Sequence, residues 1–152
     1  MEQKEKLMMI EKMIQSVESL IPEYMANSVD QNISNGNVAL CIIDDNGSVC
    51  GKLFGTDKNR SRQSFNIAWK KASQVWITGM KTGEYEKAVF NNEVDEHKFG
   101  IMRPDFIGWV GGQPVTLEDK TKLSIGFSGF RGTSDLEIVR KALAQIGYSV
   151  TE

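Results

Sequence analysis

Val38-Ala39-Leu40-Cys41-Ile42-Ile43, then Asp44-Asp45-Asn46-Gly47, then Ser48-Val49-Cys50-Gly51-Lys52-Leu53-Phe54, is the stretch from which the fold is read. An apolar, β-rich run meets a turn in which Asn46 and Gly47 tolerate positive φ, and a second run returns. Strands joined by so short a turn pair antiparallel. Cys41 and Cys50 fall on facing strands of this hairpin. An oxidising compartment would permit a disulfide between them, and a reducing one would leave two half-buried thiols. Their spacing matches neither a zinc pair nor a Cys-x-x-Cys redox motif.

Before the hairpin, residues 3–28 carry Leu7, Ile10, Ile14, Val17, Ile21 and Tyr24 at three- and four-residue spacing. That spacing predicts a helix with one apolar face, which Pro22 should end or kink near Ile21. The methionines Met8, Met9, Met13 and Met25 suit a packing surface. Residues 30–37 are polar, with Gly36 as a breaker.

After the hairpin, residues 55–62 read as a polar loop. Ser64 is placed to cap a second helix over 65–79, with Phe65, Ala68, Trp69, Ala72, Val75 and Trp76 as its apolar stripe. A short helix follows from Thr82 to Phe90. Residues 91–105 are irregular and charged, long for a connection in a compact domain. Strands are predicted over 106–110, 114–117 and 123–128. Ser134 with Glu137 forms a capping-box pattern for a final helix that Gly147 ends.

The predicted order, α-β-β-α-β-β-β-α, describes an α+β fold: a five-stranded antiparallel sheet flanked by helices. The 152 residues suit one domain, spanning 1–152. Hydrophobic residues at 40% and charged residues at 25% are ordinary for a globular body. A net charge of −2 builds no broad cationic surface, which argues against nucleic acid as the main partner. No apolar run is long enough to span a membrane and no secretory h-region fits the charged start, so the expectation is a cytoplasmic protein without a membrane partner.

Gly111-Gly112-Gln113-Pro114 lies between two of the predicted strands, and Gly126-Phe127-Ser128-Gly129 leads into the last helix. A glycine pair ahead of a proline allows a sharp turn or a close neighbour. With Asp44 and Gly47 after an apolar strand, Lys71-Ala72 on a helix, Thr82 after it, and Asp135 after the Gly-x-Ser-Gly segment, these residues resemble the haem-degrading, HbpS/GlcG-like family. The same domain closes some cobalamin adenosyltransferases. The resemblance covers residues 38–147. Val110 stands where the family often has a third glycine, Phe54-Gly55-Thr56 replaces a frequent Arg-Met-Asp segment, and residues 93–105 have no clear counterpart.

The resemblance implies a profilin-like fold, a small-molecule ligand that is haem or a related tetrapyrrole, slow haem breakdown in some members, and a homo-oligomer. It points to Lys71, Thr82, Gly111, Gly112 and Pro114 as ligand-binding residues. Lys71 is read either as a partner for a propionate or phosphate or as a solvated residue. Thr82 lines the pocket or caps the helix after it. His97, the sole histidine, is an axial haem ligand or part of an oxygen-rich metal site, or else a solvated loop residue. Arg60, Arg62 and Arg103 are alternative anion partners. Trp69, Trp76 and Trp109 could stack on a flat ligand, but core or subunit contact is the plainer expectation. Ser128 lacks the five-residue nucleophile elbow, and a Ser-His triad could draw only on His97, so a hydrolase is not expected. Two other functions stay open: an accessory subunit that assembles with an enzyme, and an enzyme acting on a small organic acid with Lys71 or Asp135 as acid/base.

Overall fold

The computed structural model describes residues 1–151. Its helices are α1 (Gln3–Met25), α2 (Ser28–Ser34), α3 (Lys58–Thr78), α4 (Thr82–Phe90) and α5 (Gly132–Gln145). Its strands are β1 (Ala39–Asp44), β2 (Val49–Leu53), β3 (Gly112–Leu117), β4 (Lys122–Ser128) and β5 (Val150–Thr151). One sheet runs in the order β2-β1-β4-β3-β5, antiparallel throughout. The α+β reading therefore holds, with one exchange of strands. Residues 106–110 form no strand, and β5 beyond the last helix is the fifth.

Helices cover both faces of the sheet. Leu40 and Ile42 of β1, with Leu123, Ile125 and Phe127 of β4, pack against Met9, Ile10, Met13 and Val17 of α1 and Ile138 and Leu143 of α5. The other face of β1, Ala39, Cys41 and Ile43, packs against Ala68 and Ala72 of α3. All six residues of β1 are buried, which is why this strand reads as an unbroken apolar run.

A row of small residues sets the approach of α3. Gly51, Cys41, Gly126 and Gly112 are successive cross-strand partners on the α3 face. At Gly126 an added Cβ would overlap the Ala68 carbonyl oxygen and lie 2.7 Å from the Ala72 nitrogen. The inner face of α3 is accordingly made of Ala68, Lys71, Ala72, Gln74 and Val75, while Trp69 and Trp76 are half-exposed, at 44% and 49%, Trp76 Nε1 donating to the Asp44 carbonyl at 3.2 Å. The predicted stripe had placed both tryptophans inward. The alternation of successive strand residues between faces separates the cysteines. Cys41 faces α3, whereas Cys50, opposite Ile42, packs on the α1 side, and both are free. Burial pushes the Cys41 thiol up to about 12.

Several helix ends differ from expectation for local reasons. α1 runs through Pro22 to Met25, because its last turn is anchored: Tyr24 is buried, donates to Glu137 Oε1 at 2.7 Å and stacks on Phe130. α3 starts at Lys58, capped by the Asp57 carboxylate accepting from Arg60 N, so residues 58–62 are helix rather than loop. Ser64 instead donates to the Asn37 carbonyl from within the helix. The polar stretch after α1 is the short helix α2, capped by Asn27.

At α5 the capping box does not form. Glu137 binds Tyr24, and Ser134 Oγ donates to Asp30 Oδ2 at 2.7 Å. Asp30 is fully buried and also accepts from Arg131 N at 2.8 Å and Nε at 3.1 Å. Burial acts to raise its pKa, but the bonds from Arg131 and Ser134 win and hold the carboxyl below its ordinary value. A depressed carboxyl contributes stability above its unfolded-state pKa and loses it as pH falls through the folded one. We expect Asp30→Asn to lose roughly 1.5–3 kcal/mol at pH 7 and to unfold with a shallower acid limb than wild type. Urea midpoints measured from pH 7 down to pH 3 check this, and parallel limbs would refute it.

Candidate functional site

α3, α4 and the start of α5 converge on the segment that leads into β3. Residues 106–110 pair with no strand. Gln74, buried on α3, takes the place of a ladder: its Nε2 donates to the Ile107 carbonyl at 2.7 Å, and its Oε1 accepts from Ile107 N at 2.8 Å. A buried amide supplying one donor and one acceptor satisfies the backbone as a neighbouring strand would. Thr82 continues the clamp. It is fully buried in the first turn of α4, donates to the Trp109 carbonyl at 2.6 Å and accepts from Gly112 N at 3.3 Å. It does not cap α4, whose N-cap is Lys81, and with Gly112, Val110 and Leu136 it lines a small cleft of about 190 Å³.

The Gly111–Gly112 corner is filled from within. Gly111 has φ +134°, and an added Cβ would lie 2.5 Å from Lys71 Nζ and 2.6 Å from the Phe127 carbonyl oxygen. At Gly112 an added Cβ would lie 2.6 Å from Thr82 Cγ2. The two glycines therefore admit Lys71 and Thr82.

Lys71 is 2% exposed. Its Nζ donates to the Phe127 carbonyl at 2.9 Å and lies 3.4 Å from Asp135 Oδ2. Asp135 is equally buried, and its Oδ1 accepts from Phe130 N at 3.0 Å. Burial disfavours both charges. It pulls the Lys71 ammonium below its ordinary pKa and pushes the Asp135 carboxyl up to about 7, against the opposing pull each exerts on the other.

Three clefts form a chain along this side. The first, about 430 Å³, has Lys71 and Asp135 in its wall with Ile33, Trp109, Val110 and Phe130. The second, about 340 Å³, shares Trp109 and adds Phe106, Phe90, Lys70 and Arg103. The third, about 490 Å³, shares Phe90 and Arg103 and contains His97 with Asp95 and Glu96. Each falls within the volume range of small-molecule sites, about 300–1,000 Å³. His97 is exposed, with Nδ1 2.8 Å from the Met102 sulfur. Arg103 reaches Glu96 at 3.3 Å. Among the described residues no three His, Cys, Asp or Glu side chains are grouped to hold a metal ion, so the oxygen-rich form of a His97 site is not assembled.

Lys71, Thr82, Gly111 and Gly112 are thus brought together. Pro114, in β3 opposite Ser124, lines a separate cleft beside Asp44 and Trp76, and His97 lies two clefts away. Arg60 bonds the carbonyl of Ile33, a residue of the first cleft's wall. Trp69, Trp76 and Trp109 are all at least 44% exposed, which removes the core from their readings. Gln74 and Lys70 were not anticipated. Gln74 carried one signal, a polar residue one turn from Lys71 on a face of alanines, and Lys70 carried none.

The model of the haem-degrading, HbpS-like proteins matches residues 18–144. The chain belongs to this family. The crystal structure of HbpS is 19% identical with a TM-score of 0.58, covering 93% of this chain and 89% of that one. The crystal structure of a PduOC–heme complex is 15% identical with a TM-score of 0.62, covering 100% of this chain and 99% of that one. The Klebsiella pneumoniae protein ORFY is 21% identical with a TM-score of 0.65, covering 91% and 87%. These likenesses establish a common fold. No curated protein matches the sequence significantly. Among the described residues no helix is long and apolar enough to cross a membrane.

Proposed function

We propose that this HbpS-like chain binds haem or a related tetrapyrrole along the clefts that meet at Trp109. Membership of the haem-degrading family carries the reading, and the relative solved as a heme complex supports it. The residues fit such a group in chemistry. Phe90, Phe106 and Trp109 offer an aromatic bed for a flat ring, and Lys70 and Arg103 offer cations for its carboxylates. His97, in the adjoining cleft that shares Arg103, is the one imidazole available to iron. Haem would bring redox-active iron, and breakdown of its ring needs electrons supplied from outside the chain. Binding is therefore the function we assign to the chain itself.

Haem titrated into the purified protein is expected to give a saturable Soret shift at about one per chain. Trp109→Ala should weaken binding by at least ~10-fold, the loss of one aromatic anchor, and His97→Ala should change the position of the band. No shift relative to free haem would refute the proposal.

A second observation favours assembly of copies. Trp69, Trp76 and Ile77 stand 43–49% exposed on the outer face of α3, beside the exposed Val49 and Leu53 of edge strand β2. We propose that this face is buried in a homo-oligomer, to be read from the mass in solution. The accessory-subunit reading rests on the same face, and activity of a co-encoded enzyme with and without this chain separates the two.

A further inference from the structure

We propose that Glu86 makes the cleft beside Trp109 selective for open-chain tetrapyrroles over closed rings. This deepens the tetrapyrrole reading and rests on it. Glu86 and Phe90 lie one turn apart on α4 and both line the cleft of about 340 Å³, whose wall also includes Lys70 of α3. Gly108 makes the seat for the acid: a Cβ added there would overlap the Glu86 carboxylate. Backbone conformation does not require glycine at this position, since its φ lies outside the left-handed region. Glu86 and Lys70 are both half-buried. Among the described residues the Glu86 carboxylate makes no hydrogen bond and no ion pair, and neither does the Lys70 ammonium. Arg103, the other cation of this cleft, is already held by Glu96. The cleft thus presents one unpaired anion and one unpaired cation beside Phe90, Phe106 and Trp109.

In the open cleft water solvates both charges. A flat molecule lying on the aromatic bed displaces that water, and covering a carboxylate without giving it a donor is costly. Lys70 is answered by a ligand carboxylate, a group that closed and open tetrapyrroles share. Glu86 needs the opposite group, an N–H. In haem every ring nitrogen holds iron, and in a metal-free porphyrin the N–H groups point into the macrocycle. Neither ring offers Glu86 a donor, and the carboxylates of both repel it. A tetrapyrrole cut open between two pyrroles can turn its pyrrole and lactam N–H groups toward a neighbour, where the Glu86 carboxylate accepts them. A hydrogen bond to an ionised acceptor is roughly twice as strong as one between neutral groups. Glu86 therefore favours the opened chain, while Lys70 and the aromatic bed serve either ligand.

Biliverdin and metal-free protoporphyrin test the proposal on the full chain. Both carry propionates and no iron, and they differ in the opened ring. Quenching of tryptophan fluorescence reads the two affinities on one scale. The wild-type protein is expected to bind biliverdin at least ~10-fold more tightly than protoporphyrin. Glu86→Gln keeps the shape and removes the charge. It should lower that ratio by ~5-fold or more through weaker biliverdin binding, with the protoporphyrin affinity unchanged. Equal affinities in the wild type, or a ratio that Glu86→Gln leaves as it was, would overturn the proposal. Lys70→Met should weaken both ligands, and a biliverdin affinity it does not touch would place that ligand elsewhere and overturn the proposal too. Haem is titrated separately in the Soret region. A haem shift with equal affinities for the metal-free pair removes the part given to Glu86 and leaves tetrapyrrole binding standing, whereas binding of none of the three removes both.

Discussion

Gly126→Ala is expected to destabilise the protein by roughly 3–5 kcal/mol, lowering the thermal midpoint by about 6–20 °C. Nothing about backbone conformation requires glycine there, since the φ of Gly126 lies outside the left-handed region. What requires it is space. The methyl group would meet the Ala68 carbonyl oxygen and the Ala72 nitrogen, both backbone atoms of α3, and Lys71 Cβ at 2.9 Å. No side chain can rotate away, so relief demands that the helix lift from β4. That movement would also draw Lys71 from the Phe127 carbonyl and Gln74 from Ile107. Gly79→Ala is the control. Gly79 has φ +73° with nothing within 4 Å of an added Cβ, so it should lose only the ~1–2 kcal/mol of a left-handed residue. Calorimetry of the two variants separates crowding from conformation, and equal losses would show that α3 can lift freely.

That close approach also explains what could be read from the sequence and what could not. The hairpin was legible because alternation is unnecessary in a strand buried on both faces, and because Asn46-Gly47 is local turn chemistry. The glycine row was not, since Gly51, Gly112 and Gly126 come from three strands and become neighbours only through register. Without that row, large apolar side chains are the natural inner face of α3, yet Trp69 and Trp76 stay half-exposed. Residues 106–110 have the composition of a strand. Ile107 bonds Gln74 and Trp109 bonds Thr82, and no periodicity reveals side chains standing in for a ladder. β5 escaped because two residues carry no pattern. At the site, Lys71 and the glycines were found as a motif. Their mutual contact, with Asp135 as the third member, depends on α3, β3 and α5 meeting, which is tertiary information.

The largest coupled effect is expected at Lys71 and Asp135. Lys71→Met leaves a buried carboxyl without its cation, and Asp135→Asn leaves a buried amine without its acid. Each should lose roughly 3–5 kcal/mol. The double variant should lose less than the sum of the two by about 1–3 kcal/mol, because each change removes the reason for the other's penalty. Acidity gives an independent signature. Burial has raised the Asp135 carboxyl to about 7, so between the ordinary carboxylate range and that value the folded state binds more protons than the unfolded chain. The contribution of this group is fully present at low pH and is lost as pH rises through 7. Removing the Lys71 cation raises the carboxyl further, since the ammonium is what pulls it down. The penalty of Lys71→Met should therefore be smaller at pH 5, where Asp135 carries its proton in the variant, than at pH 8, where the folded variant must hold that proton, or bury the carboxylate alone, against an ionised unfolded chain. Urea denaturation of the wild type, both single variants and the double variant at the two pH values completes the test. Additive losses, or a Lys71→Met penalty independent of pH, would mean that the two groups do not share a proton economy and that their proximity is packing alone.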